Sequence, residues 1–208
     1  MRGLGFALRQ LHALRVLVLG YAPQRFTPSA WDRLFQSGAY DRLDGAIERA
    51  RYSLIVGHQD LIGARSILDV GCGQGVLARR LARTPYERYL GIDISQAAID
   101  MARAGASDPR NRYLVSDMDR FDGEERFDWV IFNECLYYLD DPLGTVRHFW
   151  HWLTPGGHLS ISMYDCPGAR AIWKGLRSMP TVETVDLEHK GAARWTVKLL
   201  RPGPTAPG

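Results

Sequence analysis

The run Asp69-Val70-Gly71-Cys72-Gly73-Gln74-Gly75 places three glycines at alternate positions directly after a short apolar stretch, Ile67-Leu68-Asp69-Val70. Glycine enters left-handed backbone conformations without steric cost and lets a ligand approach the main chain with no Cβ in the way. A helix that follows would present free N–H groups suited to an anionic group such as a carboxylate. By itself the spacing fits either a ligand cradle or a tight strand-to-helix turn. Asp93 narrows the choice. It ends the next apolar run, Tyr89-Leu90-Gly91-Ile92-Asp93-Ile94, where a carboxylate can accept from both hydroxyls of a ribose. Glycine loop and acid together point to a nucleoside-bearing ligand. A dinucleotide fingerprint would need its third glycine at position 76, which is Val76, and the P-loop lysine is absent.

These groups can act together only if the chain delivers them to one edge of a sheet. From about residue 66, short apolar runs alternate with helical patterns, the signature of parallel strands joined by crossover helices. Val76, Leu77 and Leu81 recur at helical spacing, and Ser95 is placed to cap a helix carrying Ala98, Ile99 and Ala102. Tyr113-Leu114-Val115 reads as a third strand. Phe127 to Phe132 reads as a fourth, almost continuously apolar as expected for a strand covered on both faces. A helix is expected from Asp141 to Leu153, closed by Pro155-Gly156-Gly157, before a fifth strand at Leu159, Ile161 and Met163. After a short helix at Ile172, Trp173 and Leu176, the runs at 182–187 and 195–199 predict an antiparallel hairpin. Upstream, Leu43, Ile47, Ala50 and Leu54 mark an amphipathic helix from about Asp41 to Val56, preceded by an aromatic segment, Trp31 to Tyr40. The reading is an α/β chain with residues 1–60 as a helical cap or lid, 61–201 as the core and 202–208 as a disordered tail.

At this point a resemblance can be stated. Ile67 to Gly75 resembles the first motif of class I S-adenosylmethionine-dependent methyltransferases, and Gly91-Ile92-Asp93-Ile94-Ser95 resembles their second-strand motif. Ser116-Asp117-Met118 is similar to the adenine-contacting turn after their third strand, and Phe127 to Asn133 to their fourth-strand motif. Leu153-Thr154-Pro155-Gly156-Gly157-His158-Leu159 resembles the turn into their fifth strand, so the match runs in order over about residues 66–165. The resemblance implies a Rossmann-like, seven-stranded, mostly parallel sheet with a C-terminal antiparallel hairpin strand and helices on both faces. It implies S-adenosyl-L-methionine as cofactor and S-adenosyl-L-homocysteine as product. Asp69, Gly71, Cys72, Gly73 and Gly75 would serve the methionine portion, with Cys72 as a small space-filler. Asp93 would hold the ribose hydroxyls and Ile94 would pack on adenine. Asp117 would accept from the adenine amino group, Met118 would pack or donate its backbone N–H, and Asn133 would lie near the methyl group.

The acceptor side follows from what leaves the fourth strand, Glu134-Cys135-Leu136-Tyr137-Tyr138. Methyl transfer from a sulfonium is an in-line displacement, so alignment supplies much of the acceleration. A neutral amine needs positioning and a route for its proton; a hydroxyl gains from a general base. Glu134 is the candidate for that base or for a carboxylate that orients an ammonium group, and Tyr137, with Tyr138, is a candidate pocket wall. His148 and His151 are expected at the surface, and His58 is an outsider for catalysis. Glu-x-x-Tyr-Tyr-Leu, with the helix Glu48 to Tyr52, is similar to bacterial small-molecule methyltransferases, including the group that N-methylates chitooligosaccharides. The family analogy makes Trp31 to Tyr40 a lid, and Trp173 a further contributor to acceptor choice.

Composition bounds the rest. At 208 residues, with 46% hydrophobic and 24% charged residues, the chain fits one ordinary domain. Three separated cysteines without a CxxC pair favour a reduced, cytoplasmic protein over a disulfide scaffold or metal site, so no metal is expected. Residues 1–25 carry four arginines and no acid among many apolar residues, without the uninterrupted run of a signal or spanning helix. They read as a packed helix or as a segment making peripheral contact with an acidic membrane. The activity expected is methyl transfer to nitrogen or oxygen of a small-molecule acceptor, such as a sugar, amine or natural-product scaffold. The alternatives are RNA methylation, disfavoured because basic residues are interspersed with acids, a nicotinamide-dependent oxidoreductase, and a non-catalytic cofactor-binding protein docked through its basic N-terminus.

Overall fold

The computed structural model describes residues 26–189 and 193–202, so the expectations for residues 1–25 and for most of the C-terminal tail lie outside the described residues. Five strands run parallel: β1 (Ser66–Val70), β2 (Arg88–Asp93), β3 (Asn111–Val115), β4 (Phe127–Asn133) and β5 (Leu153–Tyr164). The hairpin of β6 (Thr181–His189) and β7 (Ala193–Leu200) completes one sheet in the order β3-β2-β1-β4-β5-β7-β6, with β7 antiparallel to both neighbours. The strand order reverses between β1 and β4. In an open α/β sheet a ligand crevice forms there, outside the carboxyl ends of the strands.

Alternate residues of the central strands feed two cores. Ile67, Trp129 and Ile131 pack with Ile55, Leu77 and Ile99 of the helices α2 (Ala46–Ile62), α3 (Val76–Leu81) and α4 (Gln96–Ala104). Leu68, Val130 and Phe132 pack with Val146, Phe149 and Ile172 of α5 (Pro142–Trp150) and α6 (Pro167–Gly175) on the opposite face. Every apolar side chain of β4 is therefore buried, which explains the apolar run from Trp129 to Phe132. Helix α1 (Pro28–Gln36) lies in front of this assembly and buries only Phe35.

Three local expectations need correction. The upstream helix starts at Ala46, after a 3₁₀ turn at Asp41–Asp44, and runs to Ile62. Its expected apolar stripe is only half right: Leu43 and Leu54 pack against the core, but Ile47 is 50% exposed and Ala50 is also exposed, while Glu48, Arg51, Tyr52, Ile55, His58 and Gln59 face inward. The N-terminal half of α2 roofs a cavity where Glu48 and Arg51 pair with each other, and charged groups with partners can be buried there. Second, α5 ends at Trp150, and Leu153 already belongs to β5. Pro155-Gly156-Gly157 forms an irregularity inside that strand, with Gly156 at φ 82° and a register shift against β4 between Phe127 and Trp129. Third, His148 is half-buried, its Nε2 2.9 Å from the Phe121 carbonyl oxygen, whereas His151 is exposed as expected.

His58 sits between α2 and the sheet. Its Nδ1 lies 2.7 Å from the Ser160 hydroxyl, which also accepts from the Trp129 indole N–H at 2.7 Å, and Glu183 of β6 lies 3.3 Å from its Nε2. Trp173 packs against the core with the Lys198 ammonium 4.9 Å from its ring centre. Among the described residues no helix is long and apolar enough to cross a membrane.

Candidate active site

The loop after β1 uses glycine for two separate reasons. Gly71, Gly73 and Gly75 have φ of 74°, 53° and 74°, the left-handed region. At Gly71 a Cβ would also stand 2.8 Å from the Cβ of Cys135, so any side chain there would displace the exit of β4. The loop is fastened to β2. Gly71 and Cys72 donate their N–H groups to the Ile92 carbonyl at 2.8 and 3.0 Å, and Gly73 donates to Asp93 Oδ2 at 2.9 Å. Asp93 Oδ1 accepts from Ser95 N–H at 2.9 Å, and the Ser95 hydroxyl caps α4 through Ala98 N–H at 3.1 Å, the cap expected from sequence. Asp93 thus bridges the glycine loop and the first turn of α4. Burial pushes its carboxyl up to about 6, against the pull of these backbone donors.

A cavity of about 550 Å³ opens at the strand-order reversal, within the size range of small-molecule sites. Gly71, Cys72, Gly73 and Asp93 line it at β1 and β2. Ile94, Asp117 and Met118 line the part toward β3. Asn133, Glu134 and Tyr137 line it at the exit of β4, with Tyr138 beside them. Two of the sequence-derived candidates stand behind this wall. Gly75 packs toward Ala102 and Tyr113. Asp69 is 1% exposed; its Oδ2 accepts from the Tyr89 hydroxyl at 2.5 Å and its Oδ1 has no hydrogen-bond partner. Burial raises the Asp69 carboxyl to about 7, and Tyr89 opposes the rise. Cys72 fills space against Gly91, where an added Cβ would meet its Sγ at 2.8 Å.

At the β4 exit Glu134 adopts φ 61°, a conformation that strains a non-glycine residue by roughly 1–3 kcal/mol and is retained where surroundings over-determine it. Here three donors do so. Oε2 accepts from the Tyr137 hydroxyl at 2.7 Å and Tyr164 N–H at 3.1 Å, and Oε1 accepts from the Ser162 hydroxyl at 3.1 Å. Burial raises the proton affinity of Glu134, while Arg51 and the hydroxyl donors oppose that. Arg51 was legible only as part of a helix. Its buried guanidinium donates to Glu48 at 2.7 Å and to the side-chain oxygen of Asn133, and its Nε–H has no partner. Burial works against the Arg51 charge, but Glu134, Tyr52 and Glu48 outweigh it and keep the guanidinium charged. Glu48 also accepts from Arg42 at 3.0 Å. The only sequence signal for this pair is its i,i+3 spacing. Tyr164 and Trp195, which close the cavity beyond Glu134, had no local signal at all.

Helix α1 and the turn after it supply the remaining wall. Phe35 stacks on Tyr40 at 4.9 Å, and Trp31 meets Tyr138 edge-on at 5.0 Å.

A family model described as "Methyltransferase domain" matches residues 67–157, the stretch that builds the glycine loop, Asp93, Asp117 and the exit of β4. Over those residues the chain is similar to methyltransferase domains. It is 36% identical to Nodulation protein S of Rhizobium tropici over 125 residues, covering 57% of this chain and 52% of that protein. The N-methyltransferase NodS of Bradyrhizobium japonicum, solved with S-adenosyl-L-homocysteine, superposes with a TM-score of 0.65 at 23% identity, covering 77% of this chain and 90% of that one. The 1,6-didemethyltoxoflavin-N1-methyltransferase of Burkholderia thailandensis gives 0.67 at 21% identity, covering 84% and 86%. At these identities the two structures bear on the fold. The chain spans 38% to 66% of the length of three curated relatives that it matches.

The residues present fit S-adenosylmethionine, whose demethylated product is bound in the NodS structure. The cofactor joins an adenosine to a zwitterionic methionyl end. The cavity offers Asp93 and Asp117 beside a side-chain-free glycine loop, and at its wall the charged Arg51, whose buried Nε–H has no partner among the described residues, would suit a carboxylate.

Proposed function

We propose that this protein transfers a methyl group from S-adenosylmethionine to a nitrogen of a small molecule. The observation that carries the nitrogen is the state of Glu134: three donors occupy its carboxylate, and the cavity walls contain neither histidine nor lysine among the described residues. Glu48, the other acid at that end, is held by Arg42 and Arg51. Among the described residues each acid there carries donors that weaken it as a base toward a hydroxyl. A neutral amine attacks through its lone pair and sheds its proton afterwards, so it needs alignment more than a base. Oxygen acceptors that arrive ionised, carboxylates or phenolates, meet the same condition. They remain the second reading, since the chain is also similar to relatives named as O-methyltransferases, such as the malonyl-[acyl-carrier protein] enzyme of Ilyobacter polytropus, 29% identical over 101 residues.

When bound, the cofactor supplies an electrophilic methyl on a sulfonium. The chain's own residues do the rest. Asp93 and Asp117 hold the nucleoside end, the glycine loop admits the methionyl end against main chain, and Arg51 takes its carboxylate. Glu134, fixed by Tyr137 and Ser162, presents its remaining lone pair to an amine N–H and orients the nitrogen. The walls formed by Trp31, Tyr138 and Trp195 exclude water. In this reading residues 1–60 act as the cap and 61–201 as the catalytic core.

The test is a screen of amine, phenol, hydroxyl and carboxylate acceptors that reads S-adenosylhomocysteine release, paired with equilibrium binding of the cofactor. Asp93→Ala should weaken cofactor binding about 10- to 100-fold, the scale of losing charge-assisted hydrogen bonds of about 1.5–3 kcal/mol. Turnover confined to aliphatic hydroxyls would refute the nitrogen assignment, and unchanged binding in the variant would refute the site.

A further inference from the structure

We infer that Asp32 is a positioning residue that clasps helix α1 over the bound cofactor and sets how fast the cofactor leaves; this rests on the reading of the cavity as the S-adenosylmethionine site. The Asp32 carboxylate projects from α1 onto another helix. Its Oδ1 accepts from the Ser95 hydroxyl at 2.7 Å and from Ala97 N–H at 3.0 Å, both in the first turn of α4. That turn leaves amides without intrahelical partners and carries the positive end of the helix dipole, so a carboxylate from elsewhere in the chain is stabilised there. The same bonds hold the Asp32 carboxyl below its ordinary value, with the Ser95 hydroxyl the larger cause.

The clasp is wired to the ligand-holding groups. Ser95, which donates its hydroxyl to Asp32, donates its N–H to Asp93 at 2.9 Å, and the other Asp93 oxygen holds Gly73 at 2.9 Å. From lid to glycine loop the order is Asp32, Ser95, Asp93, Gly73, with every link shorter than 3 Å. The lid touches the far end of that chain as well. Phe35 lies over Gly73, so close that an added Cβ would stand 3.4 Å from its Cζ. Helix α1 therefore rests on both ends of one short hydrogen-bonded relay, and the relay's middle is the acid assigned to the ribose.

Apolar contact alone anchors this helix weakly. Phe35 is its single buried residue, and Trp31 contacts Tyr138 and Phe26 while remaining half-exposed. Trp31 and Phe35 both line the cavity, so exchange of cofactor requires α1 to lift. Lifting breaks the two Asp32 bonds. Removing them in advance should speed release more than it slows capture, because the open lid is the state that admits ligand.

The experiment is stopped-flow displacement of S-adenosylhomocysteine from the full chain, with melting temperatures measured alongside, for wild type, Asp32→Ala and Asp32→Asn. Asparagine keeps an oxygen for both donors but loses the charge, and it preserves folding should the alanine variant fail to fold. The expected result is release roughly 10- to 100-fold faster in Asp32→Ala, association changed by less than threefold, and Asp32→Asn between the two. Wild type that does not bind S-adenosylhomocysteine would sink the reading of the cavity itself. Wild type that binds, with Asp32→Ala releasing at the wild-type rate, overturns the clasp whatever its melting temperature, because it leaves Asp32 only a helix cap.

Discussion

Two carboxylates at the ends of β1 and β2 are buried with no cation among the described residues in contact, and their proton affinities record that burden. An unfolded chain would titrate the Asp69 carboxyl near 3.8; burial moves it to about 7 in the folded protein. The folded state therefore binds this proton more tightly than the unfolded state between those values. Its favourable contribution is complete below about pH 4 and is lost as pH rises through 7. Asp69→Asn removes the titration and keeps an oxygen for the Tyr89 hydroxyl. Without cofactor, the stability difference between variant and wild type should shift steadily in favour of the variant from pH 5 to pH 8. Chemical denaturation at each pH measures this, and a pH-independent difference would contradict the burial account. Glu134 carries a different expectation. Glu134→Gln preserves shape and two of the acceptor contacts while removing the charge that faces Arg51, so kcat should fall roughly 10- to 100-fold, within the range of a single positioning interaction, with cofactor affinity changed by less than threefold.

At the level of elements, what could be read from sequence divides by locality. The glycine loop, Asp93 and the Ser95 cap lie within runs of a few residues whose backbone demands are local, and each is found where the spacing placed it. The roof over the cavity is the opposite case. The apolar positions Ile47 and Ala50 of α2 are exposed while Arg51 and His58 face inward, where their partners Asn133, Ser160 and Glu183 come from distant strands. No window of sequence contains both halves of those contacts. The same logic hides Asp32, whose partners lie 63 and 65 positions away. One contact of this kind can be tested for its load. Ser160→Ala would leave the Trp129 indole N–H and His58 Nδ1 buried without their shared partner, at roughly 1–3 kcal/mol per orphaned group. We expect a loss of roughly 2–4 kcal/mol in urea unfolding, with cofactor affinity intact, since Ser160 lies beneath α2 and off the cavity wall.

For the whole molecule, many arginines among the described residues are matched by acids. Arg65 pairs with Glu87, Arg88 and Arg112 share Glu125, Arg79 and Arg80 share Asp44, and Arg170 pairs with Asp165. Such exposed pairs add little to stability, but they neutralise the continuous potential that a polyphosphate backbone requires. The site is instead coupled to the fold through ligand occupancy. Cofactor that binds only the folded state should stabilise it by about 2.7 kcal/mol at a concentration 100 times Kd. For a chain of this size each kcal/mol corresponds to roughly 2–4 °C, so the melting temperature should rise by roughly 5–11 °C with S-adenosylmethionine or its demethylated product. Asp93→Ala, whose Kd is raised, should lose most of that shift at the same concentration. A short RNA at equal concentration should give none at 150 mM salt. A shift with RNA that disappears at high salt would restore the nucleic-acid reading, and a full shift in Asp93→Ala would move the nucleoside contact away from β2.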